Sequence, residues 1–287
     1  MLKKLKVLFV FLIFFFMLPI ITGLLPFPNN QKYEPPIAEE KQVVYASTDV
    51  QSEQSADNVQ ATEVTEVTDV TPTMDSFNVL FVFTHSQETY KPFVESQNGT
   101  VAVYDSKSNL LSMSDVMVDY FKLNGLNASA LKVDIMAETV KRGKSMASSY
   151  STARNYLSEE LKKNKYDLVL DIHRDATGHK QSTITYNNVG YAKVSFVIGA
   201  ENPNYKSNLN YANTISQAIN KIVPNISKGI IQKSGDGVDG VYNQDLASNL
   251  ILIEIGGIDN TEDEVYRTVA VLAQAISKTY VKQGGNA

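Results

Sequence analysis

The chain has 287 residues, 43% of them hydrophobic, and this length is sufficient for one domain with a full core. It has no cysteine, which excludes a disulfide framework, a thiolate metal site and a cysteine nucleophile. The net charge is −5, and residues 79–287 carry 21 acidic and 21 basic side chains, without the concentrated basic patch that would indicate a nucleic-acid partner.

The N-terminal residues 1–26 are predicted to be a transmembrane anchor. Lys3, Lys4 and Lys6 precede Val7–Leu25, a stretch of 19 residues without a charge, and a membrane-spanning helix needs about 20 apolar residues. No small-x-small cleavage site follows directly, so a retained single-pass anchor is favoured over the alternative, a cleaved signal peptide. The lysines would keep the N-terminus in the cytoplasm, which predicts that the rest of the chain is extracytoplasmic.

Residues 27–77 are predicted to be a disordered extracytoplasmic linker. They are rich in Pro, Glu, Gln, Ser, Thr and Asp, and they include the repetitive run TEVTEVTDV at 62–70. Such a composition cannot bury enough apolar surface to fold alone.

From residue 78 apolar strands alternate with amphipathic helices. Strands are predicted at Asn78–Phe83, Leu126–Val133, Asp167–Ile172, Tyr191–Ile198, Gly229–Gln232 and Asn249–Ile255. Helices are predicted at Ser112–Leu123, Tyr150–Leu161, Leu209–Ile222 and Thr261–Ile276, the last one opened by a capping box. Residues 78–287 are therefore predicted to form one α/β domain, with a mostly parallel central sheet and helices on both faces.

Three of these apolar strands contain or precede polar residues that would be costly in a core. These residues are His85, Glu88, His173, Arg174, Asp175 and Glu254. Ligands of α/β proteins bind beyond the carboxyl ends of the strands, where such residues would meet. Glu254 is the most informative, because a carboxylate inside the apolar run NLILIEI must be paired or bound to a metal.

The same residues suggest metal-dependent hydrolysis. Two histidines and a glutamate match the protein ligands of a catalytic zinc ion, which keeps a position open for water. A further glutamate would then serve as the general base. The spacing of His85 and Glu88 is weak by itself, so the prediction depends on the conjunction of three strands.

Six longer motifs stand in order along roughly residues 78–280: THSQETYKPF (84–93), SSYSTARNYL (148–157), LDIHRDA (170–176), NPNYKSNL (202–209), VYNQDL (241–246) and LIEIGGIDNTEDE (252–264). In these motifs the chain resembles the stage II sporulation protein P family, membrane-anchored peptidoglycan hydrolases of endospore-forming bacteria. One departure is visible, because the family often has His-Thr-His where this chain has Phe83-Thr84-His85. The histidine nearest Glu88 is kept.

The resemblance implies a zinc-dependent N-acetylmuramoyl-L-alanine amidase that also cleaves peptide cross-links of peptidoglycan. It implies work at the sporulation septum during engulfment, with sporulation proteins D and M as partners. In the mechanism that follows from it, His85, Glu88 and His173 hold Zn²⁺ and Glu254 is the general base. Whether Glu88 or Glu254 is the base is left open.

Several further residues have predicted roles around this site. Asp171 or Asp175 would fix the ring of His173. Arg174 would grip an acidic group of the stem peptide or support the oxyanion, or else form a surface ion pair.

The segment VYNQDL adds Asn243 and Gln244 as substrate contacts, with simple turn chemistry as the alternative. His179, in a polar loop, is not expected to be a ligand. Two other functions remain open, a zinc carboxypeptidase acting on stem peptides and an inactive module that binds the cell wall.

Overall fold

The computed structural model describes residues 77–281. The predicted anchor, and the predicted linker apart from Phe77, lie outside these residues. The strands are β1 (Asn78–Val82), β2 (Asn127–Ala130), β3 (Leu168–Asp175), β4 (Thr183–Tyr186), β5 (Val189–Ala192), β6 (Val194–Gly199), β7 (Ser227–Lys233) and β8 (Leu250–Gly257).

The α-helices of this part of the chain are α1 (Lys91–Asn98), α2 (Ser114–Leu123), α3 (Ile135–Lys141), α4 (Ser149–Lys163), α5 (His179–Ser182), α6 (Tyr205–Ile222) and α7 (Glu262–Tyr280). Short 3₁₀ turns occupy Met146–Ser148 and Gln244–Leu246. Between residues 77 and 281, no helix is both long and apolar enough to cross a membrane.

The main sheet has six strands in the order β2-β1-β3-β8-β6-β7, and β4 and β5 form a separate antiparallel hairpin. Every neighbouring pair of the main sheet is parallel except β6 and β8. The prediction of an α/β domain with a mostly parallel sheet is therefore confirmed. The antiparallel step means that β6 and β7 run against the direction of the four other strands.

Helices cover the two faces of the sheet unequally. On one face, alternate residues such as Ile251, Ile253 and Ile255 join the large core, together with apolar side chains of α2, α6 and α7. On the other face, a smaller cluster packs Leu157 of α4 over β1, β3 and the start of β8. Beyond α4 no helix covers this second face within residues 77–281; Val197 and Leu252 are still buried there, and Ile231 of β7 is 39% exposed. Helices on both faces are confirmed, but one face is only half covered.

Some elements differ from their predicted form for local reasons. The predicted strand Tyr191–Ile198 is divided between β5 and β6, because the backbone of Lys193 turns aside to bond with Ser182 and Gly256. The helices α1 and α3 were not predicted, since each has only two turns and too few apolar residues for a clear period.

The two ends of the described chain agree closely with the prediction. The capping box at Thr261 and Glu264 is present at the start of α7. Phe77, predicted to be the last linker residue, stacks on Tyr280 with ring centroids 5.0 Å apart. Phe77 is therefore packed against the domain that is predicted to begin at residue 78.

Candidate functional site

A cluster of two histidines and one glutamate lies where β1 and β3 end. The turn after β1 carries His85 and Glu88, and His173 is the sixth residue of β3. Nδ1 of His85 is 3.2 Å from one carboxylate oxygen of Glu88, and Nδ1 of His173 is 3.5 Å from the other. Within residues 77–281, this is the one group of at least three histidine and acidic residues whose ligand atoms lie within 4.8 Å of one another.

The donor atoms of this cluster fit a zinc ion. Two imidazole nitrogens facing one carboxylate form a ligand set that catalytic zinc sites use. Nε2 of His173 is buried without a hydrogen bond and lies 3.3 Å from Oδ1 of Asp171, so a carboxylate is next to the nitrogen that faces away from Glu88. A metal-bound histidine commonly donates its other nitrogen to such a carboxylate. The predicted ligands His85, Glu88 and His173 are therefore brought together.

Charges within the cluster stabilise each other. Although burial alone would raise the pKa of Glu88, hydrogen bonding to His173 and His85 holds it well below its ordinary value. Burial opposes protonation of His173, but Asp171 and Glu88 outweigh it and raise the pKa of the imidazole to about 10. The pocket therefore favours positive charge between two carboxylates.

Asp171 is held in place from the turn that carries the ligands. The backbone N–H of Thr84 donates to Oδ1 of Asp171 at 3.0 Å, and the hydroxyl of Thr84 donates to Oδ2 at 2.7 Å. Burial raises the pKa of Asp171, yet His173 and these hydrogen bonds bring it below its ordinary value. Of the two acids predicted to support His173, Asp171 is the one that the structure brings next to its ring.

Arg174 supports the segment that carries Glu88. Because successive side chains of a strand point to opposite faces, Arg174 and His173 project in opposite directions. The guanidinium of Arg174 donates to the carbonyls of Thr89 at 3.0 Å and Val103 at 2.7 Å. The guanidinium also lies 5.3 Å from the ring centroid of Tyr104. Arg174 is only 6% exposed, so the alternative of a surface ion pair is wrong. A direct role towards substrate stays a prediction.

Glu254 lies beside His173 across the pairing of β3 and β8. Its carboxylate has no hydrogen bond or ion pair within residues 77–281, and it lines a cleft of about 330 Å³ together with the three predicted ligands. Burial raises the pKa of Glu254, with Asp175 and Glu88 adding to the effect and His173 opposing it. On its other side is Ser195, whose buried hydroxyl also has no partner.

Asp175 does not support the ring of His173. The pairing of β3 with β8 shifts between His173 and Asp175, which breaks the two-residue alternation on which the prediction rested. Asp175 instead forms an ion pair with Lys228 at 2.7 Å, at the rim of the cleft.

The predicted substrate contacts Asn243 and Gln244 form hydrogen bonds inside the scaffold. The side-chain amide of Gln244 forms two hydrogen bonds with the backbone of β6. Its oxygen accepts from the N–H of Gly199 at 2.9 Å, and its nitrogen donates to the carbonyl of Val197 at 2.8 Å. Asn243, at φ 56°, donates to the carbonyl of Tyr150 at 2.9 Å. A direct contact of either residue with substrate stays a prediction.

His179 is separate from the cluster, as expected. Its Nε2 lies 2.9 Å from a carboxylate oxygen of Glu264 at the start of α7.

Four polar side chains that line the cleft were not predicted as site residues. They are Tyr104, Tyr150, Lys233 and Tyr242. Tyr150, at the start of α4, lies with its ring centroid 5.5 Å from that of His85 and 6.2 Å from that of His173. Burial raises the pKa of the Tyr150 hydroxyl well above its ordinary value, so it is kept protonated. The motif SSYSTARNYL contained a signal for Tyr150, but helical periodicity assigned this residue to the core.

Comparison with known proteins gives a family and one curated relative. Residues 22–277 match the family model described as stage II sporulation protein P. The stage II sporulation protein P of Bacillus subtilis (strain 168) is 32% identical over 204 residues, which is 70% of this chain and 51% of that protein. The chain thus spans about half the length of this relative.

Two solved structures are also similar to the chain. One is the CwlD amidase of Clostridioides difficile in complex with the GerS lipoprotein, at 12% identity and a TM-score of 0.45, covering 71% of this chain and 96% of that one. The other is an N-acetylmuramoyl-L-alanine amidase of Clostridium difficile 630, at 13% identity and a TM-score of 0.42, covering 73% of this chain and 99% of that one.

Proposed function

The chain belongs to the stage II sporulation protein P family, and from that premise we propose that it is a zinc-dependent peptidoglycan hydrolase of sporulation. It would cleave the amide between N-acetylmuramic acid and L-alanine, and also peptide cross-links. The supporting observation is the arrangement of Glu88 between two histidine nitrogens, with the unpartnered Glu254 beside His173 in one cleft.

The metal would be held by His85, Glu88 and His173. Zinc bound there would polarise the amide carbonyl and lower the pKa of water. Asp171 would keep the ring of His173 in one orientation, because its carboxylate lies next to that ring and is itself held by hydrogen bonds from Thr84.

Glu254 would move the proton. Its carboxylate would take a proton from the attacking water and deliver it to the leaving nitrogen of the amide. A base works best when its pKa is near the working pH, and burial raises the pKa of Glu254 in that direction. Ionised Glu88 is committed to the two histidines, which leaves Glu254 as the better candidate for the base.

The test is product analysis on purified muropeptides with the intact chain. Free glycan and an intact stem peptide are expected, with activity lost on chelation and restored by Zn²⁺. Loss of only a terminal residue would indicate a carboxypeptidase. Binding without any product, in a zinc-loaded sample, would indicate an inactive cell-wall module and contradict the proposal.

The cellular setting is proposed from the sequence and the family alone. Residues 1–26 would anchor the protein in the cell membrane, with the catalytic domain extracytoplasmic at the sporulation septum, and sporulation proteins D and M would be its partners. Protease added to intact protoplasts should release a fragment that begins within residues 27–77. A mainly soluble mature protein with a new N-terminus near residues 26–46 would instead indicate a cleaved signal peptide.

A further inference from the structure

Most charged side chains that line the cleft already have partners. Glu88 faces two histidines, Asp175 pairs with Lys228, and Arg174 is bonded to backbone carbonyls. Lys233 is different, because its ammonium group has no hydrogen bond or ion pair among residues 77–281, although it lines the same cleft. A cation without a partner in a binding cleft is available for an anionic ligand.

Lys233 and Glu254 lie at opposite ends of one stretch of sheet that borders the cleft. Glu254 is paired with Ser195, and through it with Gly229, while Lys233 lies four residues further along β7. Four residues of strand span roughly 13 Å along the strands, and two strand spacings add about 9.6 Å across them, so the two Cα positions are roughly 16 Å apart. Both side chains project from the half-covered face, since they are separated by an even number of residue positions in this register.

The floor between these two residues is apolar. Leu252, Val197 and Ile231 are paired across β8, β6 and β7, and they form one row on the same face. Leu252 and Val197 line the cleft, and Ile231 is 39% exposed because no helix covers this part of the sheet. The cleft therefore has an apolar floor, largely buried at Leu252 and Val197 and exposed at Ile231, with a possible proton acceptor at one end and a cation at the other.

We propose that Lys233 binds a carboxylate of the stem peptide and thereby selects substrates whose stem carries that group in the free, ionised form. The proposal rests on the proposed function, since it assumes a peptide extending from the amide beside Glu254. An extended peptide advances about 3.3–3.6 Å per residue, and the lysine stem reaches back along the floor. The carboxylate is therefore two or three residues from the scissile amide.

This position excludes one related form of recognition. A carboxypeptidase must bind the carboxylate of the residue next to the scissile bond, which is too close to Glu254 for Lys233 at the far end of the floor. Lys233 is suited to a longer peptide that carries a side-chain or α-carboxylate further from the cleaved bond. Masking this carboxylate as an amide would remove the charge and keep the shape.

The test uses two muropeptides that differ only in having their stem carboxylates free or amidated. The wild-type chain is expected to prefer the free form by at least about 10-fold in kcat/KM, since a charge-assisted hydrogen bond would be lost in the other. Lys233→Met should remove this preference by raising KM for the free form, with kcat nearly unchanged. Lys233→Arg should keep it, and Lys162→Met, on the exposed end of α4, should behave as wild type.

Binding provides a second measurement that does not depend on cleavage. Two zinc-loaded proteins are compared, the Glu254→Gln variant and the double variant that also carries Lys233→Met, after thermal unfolding has shown that each is folded. The affinity of each protein for the free and for the amidated stem peptide is measured by titration. If both proteins prefer the free peptide over the amidated peptide by the same factor, the proposal is overturned. If wild type hydrolyses neither muropeptide but Lys233 still discriminates in binding, the proposed function fails while the carboxylate site stands.

Discussion

The two faces of the central sheet are built from alternate residues of the same strands, yet they serve different purposes. In β8, Ile251, Ile253 and Ile255 point into the large core, while Leu252 and Glu254 face the cleft. The closed face excludes water and provides most of the buried apolar area, so it stabilises the fold. The half-covered face keeps polar groups near solvent, where a substrate can reach them. Substitutions on the closed face should therefore change the free energy of unfolding, and substitutions of their neighbours on the half-covered face should change hydrolysis.

The largest effect is expected at the proposed metal ligands. His85→Ala or His173→Ala should abolish both zinc retention and hydrolysis, since each removes one of the three proposed protein ligands. Metal content after gel filtration and muropeptide turnover are the measurements. The matched control is His179→Ala, which removes a histidine paired with Glu264 outside the cleft and should retain both properties. Full zinc occupancy in the first two variants would contradict the ligand assignment.

Glu254→Gln should separate metal binding from chemistry on the half-covered face. The amide keeps the size of the side chain but cannot accept the proton, so hydrolysis should fall by at least ~10²-fold while zinc and peptidoglycan binding persist. Metal analysis is run on the same sample as the activity assay. If zinc is lost together with activity, Glu254 is a ligand and Glu88 becomes the candidate base. If neither is lost, the carboxylate is structural.

A buried amide that holds the strands should affect stability and spare the chemistry. Gln244→Ala removes both hydrogen bonds to the backbone of β6 and leaves buried groups of Gly199 and Val197 without partners. Each such group costs about 1–3 kcal/mol, so denaturant unfolding should show a loss of roughly this size or more. Turnover per folded molecule should stay within a few-fold of wild type. A selective rise in KM would support Gln244 as a substrate contact.

The smallest effect is expected on the closed face, immediately next to the proposed base. Ile253→Val removes one buried methylene and should lower the free energy of unfolding by about 0.5–1.5 kcal/mol. Zinc content and hydrolysis should not change, because the side chain points away from the cleft. A loss of activity comparable to that of Glu254→Gln would show that the two faces are not independent.

The sequence allowed the strands and the cluster of two histidines and a glutamate to be predicted because both have local signatures. Runs such as NVLFVF and NLILIEI identify buried strands, and a glutamate inside such a run can be recognised without knowing the fold. Strand ends also converge in any mostly parallel sheet, which brought His85 and His173 together.

The remaining site residues could not be predicted, because their roles depend on pairing between distant segments. Asp175 was assigned by alternation, and only the shift in pairing with β8 turns it towards Lys228. Gln244 is as polar as a substrate contact, but its partners in β6 are about 45 residues away. Lys233 had no signal in the sequence, because its place on the face that carries Glu254 follows only from the pairing registers of β7 with β6 and of β6 with β8.

The stack of Phe77 on Tyr280 has a consequence for how this domain can be rearranged. It joins the first described residue to the end of the last helix, with the two rings 5.0 Å apart. Chain ends that lie side by side can be linked by a short peptide, and a new start can be opened in an exposed turn such as the one at Gly143, where φ is +67° and nothing crowds the residue. A circular permutant that begins there should keep the sheet, the cleft and the cluster of ligands.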